Sequence, residues 1–484
     1  MTRITRRSLA AAPALAALAF LAPALLAPAA RADDWPQWLG PNRDGIWREA
    51  GLADAIPPAG LPVRWRAPVG AGYAGPAVAG GKVFVLDREL AAGAAKPADP
   101  FQQIAAGIPG AERVTCLDAA TGKQLWQFAY DCPYTVSYAA GPRCTPAVDG
   151  DRVYTYGTEG HLYCLDVASG KVVWGRKLFA GPTPMWGYAG HPLVDGDLVY
   201  VPVADPKGVL YALDKKTGEL KWQAIPAKEA GYSPPIVREV SGRRQLIQWV
   251  PAGVTSLDPV SGKVLWTVSQ EPMKYGVTAV TPVVHHDAKL GDVLFVASQY
   301  GGSLLLGLDK DAAGNPTAKV LWRRVGKSDR TSDAIQTLMA TPVLRAGHVF
   351  GLDARGQLRC LVLATGDRVW ESQAVTTYDE PPINWASTFM TPLGTDPAGG
   401  PAGKAGADAK GGPAARTLFA NEHGDVLLGN LTPAGLTVTS KAHLIDPTNT
   451  DAQRPALWSH PAYANKCVYW KNDKELVCWS FAKE

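Results

Sequence analysis

Short stretches in which apolar and polar residues alternate recur along the chain, and each is interrupted by a turn rich in Asp, Thr, Ser and Gly. The stretch at 116–126 reads CLDAATGKQLW, and similar phrases end at Trp174, Trp222, Trp266 and Trp370. Alternation with a period of two predicts β-strands. The turn predicts a hairpin, because Asp bonds its own downstream amides and Gly accepts the positive φ of a tight turn.

Tryptophans at the ends of these phrases and their relatives recur with a period near 48 residues. A period of this length, with about four strands in each unit, predicts the blades of a propeller. We expect each tryptophan to lie on the outermost strand of a blade and to pack against the turn of the neighbouring blade, as a structural fastening rather than a ligand platform. The seven are Trp65, Trp126, Trp174, Trp222, Trp266, Trp322 and Trp370.

A dipeptide that ends in proline opens each unit and gives a second count of the units. It opens a unit eight times between Pro76 and Pro461, and proline suits the first residue of a strand, where its missing N–H costs little. The eighth unit stops after Trp479, one strand short, while the segment around Trp65 is a spare strand. Residues 60–484 therefore predict an all-β, eight-bladed propeller of four-stranded antiparallel blades, closed by pairing an N-terminal strand with the C-terminal blade.

Four segments lie outside the repeat. Residues 88–112 interrupt the first blade between its second and third strands, and residues 394–416 interrupt the first hairpin of the seventh blade. The Gly, Ala and Pro content of 394–416 is typical of a flexible surface loop. Residues 33–59 form an N-terminal extension, and residues 1–32 differ from the rest of the chain in composition.

Residues 1–32 have a basic start, a long apolar run and the small-residue end Ala30-Arg31-Ala32. This pattern predicts a cleaved export signal, although the apolar run is nearly long enough to be a membrane anchor instead. The segment TRRSL at 5–9 is similar to a twin-arginine signal, and adjacent arginines also occur in ordinary signals. We expect a periplasmic or secreted protein with no membrane span after cleavage.

Charge is close to balanced once the leader is set aside. The formal net charge is +4, but four arginines lie in residues 1–32, and 44 basic and 44 acidic residues remain. A neutral chain offers no field that attracts nucleic acid or an anionic membrane, so neither is an expected partner. We expect a monomer.

The links between blades line one mouth of a propeller channel, and here they are rich in aromatic residues, whereas the hairpin turns on the other face are short and polar. Tyr and Trp give large, rigid contact area, so this mouth is the predicted binding surface. The alternative is that some of the rings only fill the narrow axis. The candidate binding residues are Tyr138, Arg143, Trp186, Tyr188, Tyr232, Tyr275, Gln336, Asn384, Trp385, Trp458 and His460.

Two of the seven cysteines differ from the rest. Five occupy repeat positions that small strand residues fill elsewhere, which predicts a structural role. Cys132 and Cys144 lie in one link at the mouth, so a disulfide between them is plausible in an oxidising compartment. The sequence contains no C-x-x-C or H-E-x-x-H spacing and no nucleophile motif, so we expect neither a metal site nor catalytic residues.

The phrase ALDKKTGELKW at 212–222 matches A-x-D-x-x-T-G-x-x-x-W, the tryptophan-docking motif of the pyrroloquinoline quinone (PQQ) repeat propellers. The motif or its relics cover most of residues 60–484. DWPQWLGPNRDG at 34–45 also resembles the opening of secreted PQQ-like repeat proteins. The resemblance implies the propeller fold, but a fold does not by itself give a function.

Three functions are consistent with this resemblance. The first is a non-catalytic propeller that binds an exported or envelope protein, or a small ligand, at the mouth. Its nearest counterpart in the family is the propeller component of outer-membrane protein assembly, which is lipid-anchored, whereas no cysteine precedes Cys116 here. Carbohydrate binding at the aromatic mouth is the weakest of the three, and the remaining one is an enzyme.

The second function is a quinoprotein oxidoreductase that uses PQQ and calcium. The resemblance implies a PQQ held between a tryptophan and a disulfide of adjacent cysteines, with Glu, Asn and Asp near calcium. No adjacent cysteines occur in this sequence. Trp186, Trp385 or Trp458 could supply the ring and Asn384 an oxygen ligand, but no acids can be assigned. We therefore expect no cofactor, with PQQ and calcium as the alternative.

Overall fold

The computed structural model describes residues 34–271, 273, 276–328, 331–378, 381–394, 416–451 and 454–483. Eight four-stranded antiparallel sheets follow one another along the chain and close into a ring. The predicted eight-bladed propeller is therefore confirmed. In the described ranges no α-helix occurs, and none of their segments is a helix with the length and apolar character needed to cross a membrane. The leader 1–32 lies outside the described residues.

Strand β1 precedes the first blade, and each of blades 1 to 4 then uses four consecutive strands from β2 to β17. In chain order these seventeen strands are Val63–Pro68, Ala77–Ala79, Lys82–Leu90, Gly110–Asp118, Gln124–Asp131, Ala147–Asp149, Arg152–Tyr156, His161–Asp166, Val172–Lys177, Leu193–Asp195, Leu198–Pro202, Leu210–Asp214, Leu220–Ala224, Ile236–Val240, Arg243–Val250, Gly253–Leu257 and Val264–Ser269.

Blades 5 to 7 use β18 to β29, the two-stranded hairpin β30–β31 follows, and blade 8 combines β32 to β34 with β1. These seventeen strands are Val283–Asp287, Gly291–Ser298, Gly302–Lys310, Pro316–Arg324, Val343–Arg345, His348–Leu352, Leu358–Val362, Arg368–Ser372, Thr388–Pro392, Arg416–Asn421, Asp425–Thr432, Gly435–His443, Asn449–Asp451, Arg454–Ala456, Ala462–Ala464, Cys467–Lys471 and Glu475–Ser480.

The outer turn of blade 1 shows why the repeated phrase forms a hairpin. The Asp118 carboxylate accepts the backbone N–H groups of Ala120 and Thr121 at 3.1 and 2.9 Å. Gly122 then takes a φ of +72°, which an L side chain rarely adopts. The same carboxylate contacts recur at Asp166, so the turn is specified by the local sequence of each phrase.

Each phrase also sets the register of its tryptophan. In blade 1 Cys116 lies directly opposite Trp126, and the pairing then shifts at a β-bulge next to Leu117. Cys164 lies opposite Trp174 in the same way. A small buried residue (Cys, Ala or Ser) lies opposite six of the seven repeat tryptophans, whereas Leu305 lies opposite Trp322.

Six of the seven repeat tryptophans contact the turn of the following blade. In each case the indole N–H donates to a turn carbonyl at 2.8–3.0 Å, and Gly170, for example, would bring an added Cβ within 2.5 Å of the Trp126 ring. Burying one such ring removes about 150–250 Å² from water, roughly 4–6 kcal/mol as an upper bound. The six donors are Trp65, Trp126, Trp174, Trp222, Trp322 and Trp370.

Trp266 differs from the other six. Blade 5 has no Thr-Gly turn in its outer hairpin, so the expected neighbouring contact has no counterpart there. The Trp266 indole N–H donates instead to Gln245 Oε1 at 2.9 Å, within its own blade. The sequence at 256–266 resembles the other phrases, but the partner turn is missing.

Blade 8 closes the ring with strands from both parts of the chain. β1 pairs with β34 in antiparallel fashion, with Trp65 opposite Cys478 and Pro68 opposite Glu475. The spare strand predicted around Trp65 is therefore the outer strand of the last blade. The largest apolar cluster of the protein surrounds this blade and includes Trp35 and Trp47 from the N-terminal extension.

The predicted insertions are partly strand. β3 runs to Leu90 and β4 begins at Gly110, so the loop between them covers 91–109 rather than 88–112. Residues 395–415 of the second insertion lie outside the described residues, while Arg416 already begins β27.

Candidate functional site

The N-terminal extension enters the centre of the ring. The Trp38 indole stacks on the His191 imidazole, with ring centroids 3.9 Å apart and planes 10° apart, and lies 4.8 Å from the His460 ring. Its N–H donates to Thr281 Oγ1 at 2.8 Å. These three partners come from blades 3, 8 and 5, and residues of such distant blades can meet only near the axis. The extension therefore closes the channel.

Arg43 completes this channel plug, which we define as Trp38, Arg43, His191 and His460. The Arg43 guanidinium donates to the carbonyls of Pro192 and His191 at 2.8 and 3.2 Å and is 2% exposed. Burial lowers the pKa of His460 to about 4 and that of His191 well below its usual value. His191 Nδ1 accepts the N–H of Thr145 at 2.8 Å, so this nitrogen carries no proton.

An aromatic cavity of about 460 Å³ lies beside the plug, on the side of the links between blades. Ala189, Ala279 and Trp458 line it, and each stands two residues before a residue that forms or contacts the plug. The plug therefore lies close to the cavity, although its four residues do not line it. Its aromatic lining consists of Tyr73, Phe101, Tyr138, Trp186, Tyr232, Tyr300, Trp385 and Trp458.

The structure divides the eleven predicted binding residues into several groups. Tyr188, Gln336, Asn384 and His460 do not line this cavity, and Tyr275 lies outside the described residues. Six residues line the cavity together: Tyr138, Arg143, Trp186, Tyr232, Trp385 and Trp458.

The four residues outside the cavity have other roles. Tyr188 is 5% exposed and packs 5.2 Å from the Tyr156 ring in a core between blades, so its expected place at the mouth was wrong. Gln336 is buried and donates to the Gln299 carbonyl at 2.6 Å. Asn384 is exposed and accepts from Arg355 at 3.3 Å. His460 belongs to the plug, as the axis-filling alternative predicts for some rings.

Buried carboxylates hold two of the rings in place. The Tyr138 hydroxyl donates to Asp451 Oδ1 at 2.9 Å, and the Trp458 indole N–H donates to Glu422 Oε2 at 3.1 Å. Arg454, on the hairpin β30–β31, contacts both carboxylates. Burial raises the pKa of Glu422 although Arg454 opposes this shift. The rings therefore rest on a network that is already satisfied within the protein.

Arg143 supports the cavity wall through the backbone. Its guanidinium donates to the carbonyls of Ser137 and Tyr138, each at 2.8 Å, and also to that of Gly141. It lies over the Tyr73 ring, 5.2 Å from the centroid. Arg143 is therefore a positioning residue whose hydrogen-bond donors point largely into the protein.

Two lining aromatics have an unusual backbone conformation. Tyr138 has a φ of +53° and Trp385 a φ of +64°, in the left-handed region that residues with a side chain rarely adopt. Such a conformation costs about 1 kcal/mol or more and persists where the surroundings impose it. Their backbone N–H groups donate to the carbonyls of Pro100 and Ala354. These two hydrogen bonds hold both residues in this conformation.

The loop 91–109 supplies one lining residue, Phe101, that was not among the predicted binding residues. Phe101 from this loop is 41% exposed and its ring centroid lies 5.1 Å from that of Tyr138 and 6.2 Å from that of Trp385. Ser137 Oγ donates to the Phe101 carbonyl at 2.7 Å and ties the loop to the link. The sequence did contain a clue to this lining residue, because Phe101 is an aromatic residue in a long insertion next to the mouth.

The predicted disulfide between Cys132 and Cys144 is not formed. Both thiols are free and buried. Cys132 Sγ lies 3.8 Å from His161 Nδ1, and Cys144 Sγ faces the carbonyl of Tyr188 at 3.5 Å. The two side chains belong to different apolar clusters, which separates them although they share a link. Burial raises the pKa of both thiols.

The described part of the chain contains no group of three or more His, Cys, Asp or Glu side chains arranged to hold a metal ion. The charged side chains near the cavity pair with one another instead, as Arg454 does with Glu422.

The fold and the repeats define a PQQ-repeat propeller. A family model described as outer membrane protein assembly factor BamB matches residues 110–377, more than half of the chain, so the chain belongs to this family. BamB of Moranella endobia (strain PCIT) is 26% identical over 240 residues, which are 47% of this chain and 56% of that protein.

Quinoprotein enzymes share part of the sequence and the fold. Quinohemoprotein alcohol dehydrogenase ADH IIB of Pseudomonas putida is 32% identical over 142 residues, 27% of this chain and 20% of that protein. The structure of quinohemoprotein alcohol dehydrogenase from Comamonas testosteroni aligns with a TM-score of 0.55 and 14% identity, over 93% of this chain and 81% of that one. The last likeness concerns the fold alone. The chain spans about half the length of the BamB relatives that it matches.

Proposed function

We propose that this protein is a non-catalytic scaffold of the cell envelope that binds another exported or envelope protein at the aromatic cavity. The observation that carries the proposal is the cavity itself, an aromatic cup of about 460 Å³ beside the channel plug. Membership of a family described as an assembly factor supports a binding role.

The plug favours binding over passage through the ring. Trp38 lies between residues of blades 3, 5 and 8, so the axis of the ring is filled at this level. Rigid Tyr and Trp rings contribute strongly to protein interfaces because they bury much area at low entropic cost. A cup of ordered rings is therefore suited to anchor part of a partner.

The composition of the cavity favours a non-catalytic role. Among the described residues that line it there is no carboxylate, histidine, cysteine, serine or lysine. The titratable side chains are tyrosines and Arg143. Burial raises the pKa of Tyr73 and of Tyr232 to about 12, so these phenols stay protonated at neutral pH. A general acid or base needs a pKa near the working pH.

The quinoprotein alternative fits these residues poorly. PQQ carries three carboxylates, and in the described lining Arg143 is the one charged side chain, whose guanidinium already donates three hydrogen bonds to carbonyls. Cys132 and Cys144 are buried apart from each other and outside this lining. We therefore propose that the protein does not use PQQ.

A melting experiment tests this part of the proposal. The mature protein is melted with and without PQQ and calcium, and dye-linked oxidation of alcohols is followed in parallel. We expect an unchanged melting temperature and no oxidation, because a ligand that binds the native state tightly must stabilise it. A clear upward shift at micromolar PQQ contradicts the proposal.

We further propose export to the periplasm or beyond. The leader pattern at 1–32 and the family support this location. Cell fractionation of the tagged full chain, with mass spectrometry of its mature N-terminus, tests it. We expect a soluble envelope protein that begins near Asp33, and a cytoplasmic protein that keeps residues 1–32 would contradict it.

A capture experiment tests the binding function. The immobilised mature protein is compared with the Trp186→Ala/Trp385→Ala double variant for recovery of proteins from an envelope extract. Val260→Ala is the matched control, because Val260 is 77% exposed on a turn of the other face. We expect the wild type and the control to recover the same envelope proteins, and the double variant to fail to recover them. Equal recovery by all three forms would show that the cavity is not the interface.

A further inference from the structure

We infer that the aromatic cavity accepts an uncharged apolar side chain, aromatic or branched aliphatic, from a polypeptide segment of the partner. The inference rests on the proposed function, because it names the part of the partner that enters the cavity. Three properties of the lining carry it: the state of its polar groups, its charge, and its shape.

The polar groups of four lining aromatics already have partners within the protein. The Tyr138 hydroxyl and the Trp458 indole N–H are used by buried carboxylates. The Tyr73 hydroxyl accepts from Asn449 at 3.0 Å, and the Tyr232 hydroxyl bonds to the backbone of Trp186. The cavity thus presents mainly ring faces. A sugar that enters the cavity would lose hydrogen bonds to water and meet few polar groups there, which is costly.

The charge of the lining disfavours ions of either sign. Arg143 is the charged side chain among the described lining residues, and it repels a cation. An anion would meet a guanidinium that already donates three hydrogen bonds, to the carbonyls of Ser137, Tyr138 and Gly141. The carboxylates behind the rings are paired with Arg454, so they offer no free negative charge to a cation.

The shape and composition of the cavity favour side chains of several sizes. Its volume of about 460 Å³ lies in the range of pockets that hold small ligands. Met185, Leu338 and Met339 complete the lining, and methionine adapts to different apolar partners because it is flexible and polarizable. Phe101 and Met185 are 41% and 38% exposed at the opening. The partner's backbone would therefore stay outside while one side chain enters.

Capped tripeptides test this inference on the mature full-length protein. Isothermal titration calorimetry compares acetyl-Ala-Trp-Ala-amide and acetyl-Ala-Leu-Ala-amide with the Glu and Lys analogues and with maltose. We expect the apolar peptides to bind at least tenfold more tightly than the charged ones, with a negative heat capacity change that marks apolar burial. Maltose should give no binding heat.

Two substitutions at the opening localise the binding. Phe101→Ala removes one ring of the wall, and Met185→Lys places a charge beside it, while both positions are exposed enough to preserve the fold. We expect each to weaken the Trp peptide about tenfold, and Val260→Ala to leave it unchanged. Unchanged binding in both opening variants would overturn the assignment of this cavity.

The outcomes separate this inference from the proposed function. Equal or tighter binding of maltose or of a charged peptide overturns the inference, and so does the absence of binding by both apolar peptides. If the capture of envelope proteins still depends on Trp186 and Trp385, the proposed function stands, but the inference that an apolar side chain enters the cavity is wrong. Loss of that dependence overturns the proposed function. Release of captured proteins by the Trp peptide supports both.

Discussion

Replacing Gly170 by alanine tests whether the repeat tryptophans fasten neighbouring blades. Gly170 has a φ of +70°, and a Cβ there would lie 2.5 Å from the Trp126 ring. The left-handed backbone alone costs alanine about 1 kcal/mol. Displacing the ring adds about 1–3 kcal/mol for overpacking and about 1 kcal/mol for the bond from Trp126 to the Val167 carbonyl. We expect a total loss of about 3–5 kcal/mol.

Gly150→Ala is the matched control for the backbone. Gly150 has a φ of +59°, but a Cβ there meets no atom within 4 Å. This variant should therefore lose only about 1 kcal/mol of the free energy of unfolding. Guanidinium unfolding followed by circular dichroism measures both losses, and the difference between them isolates the contact with Trp126.

A double-mutant cycle completes the test. When Trp126 is already alanine, Gly170→Ala should cost about as much as Gly150→Ala, because the ring that the new Cβ would strike is gone. Equal losses for Gly150→Ala and Gly170→Ala in the wild-type background would refute the reasoning. They would mean that the ring does not press on the turn.

Three further predictions concern the plug and the cysteines. Burial holds the pKa of His460 at about 4 against an ordinary 6.5, so its contribution to stability is complete above pH 6.5 and is lost as the pH falls toward 4. His460→Phe should reduce the pH dependence of the unfolding free energy in that window by about 3 kcal/mol, and an unchanged slope would contradict it. Trp38→Ala should cost about 3–5 kcal/mol in the same unfolding assay, whereas a loss below 1 kcal/mol would mean that the plug is not packed. Cys132 and Cys144 should both be alkylated in the unfolded protein without reductant, and a cross-linked peptide in mass mapping would refute the free thiols.

The fold could be predicted because the residues that form each hairpin lie close together in the sequence of each repeat. The Asp and Gly of a turn act within a few residues, and the residue that lies opposite each tryptophan follows from the hairpin register. The position of residues 34–59 could not be predicted in this way. Trp38 meets Thr281 243 residues further along the chain, and no local pattern encodes such a contact.

The site was predictable by region but not by individual side chain. Trp186 and Tyr188 stand two residues apart in one link, yet Trp186 lines the cavity and Tyr188 fills a core. Irregular links have no fixed alternation of faces, so sequence alone cannot assign the direction of a ring. The same limit explains the error at Cys132 and Cys144, which share a link but point into separate clusters.

The closing blade has a consequence for how this protein folds. Arg64 and Ser480 are neighbours across β1 and β34 although 416 residues separate them. Contacts between such distant residues are slow to form because a long loop must first be ordered. Ring closure must therefore await the emergence of β34, and until then β1 has no strand to pair with. The chain has to avoid aggregation throughout that interval, and the pairing of β34 with β1 is the step that ends it.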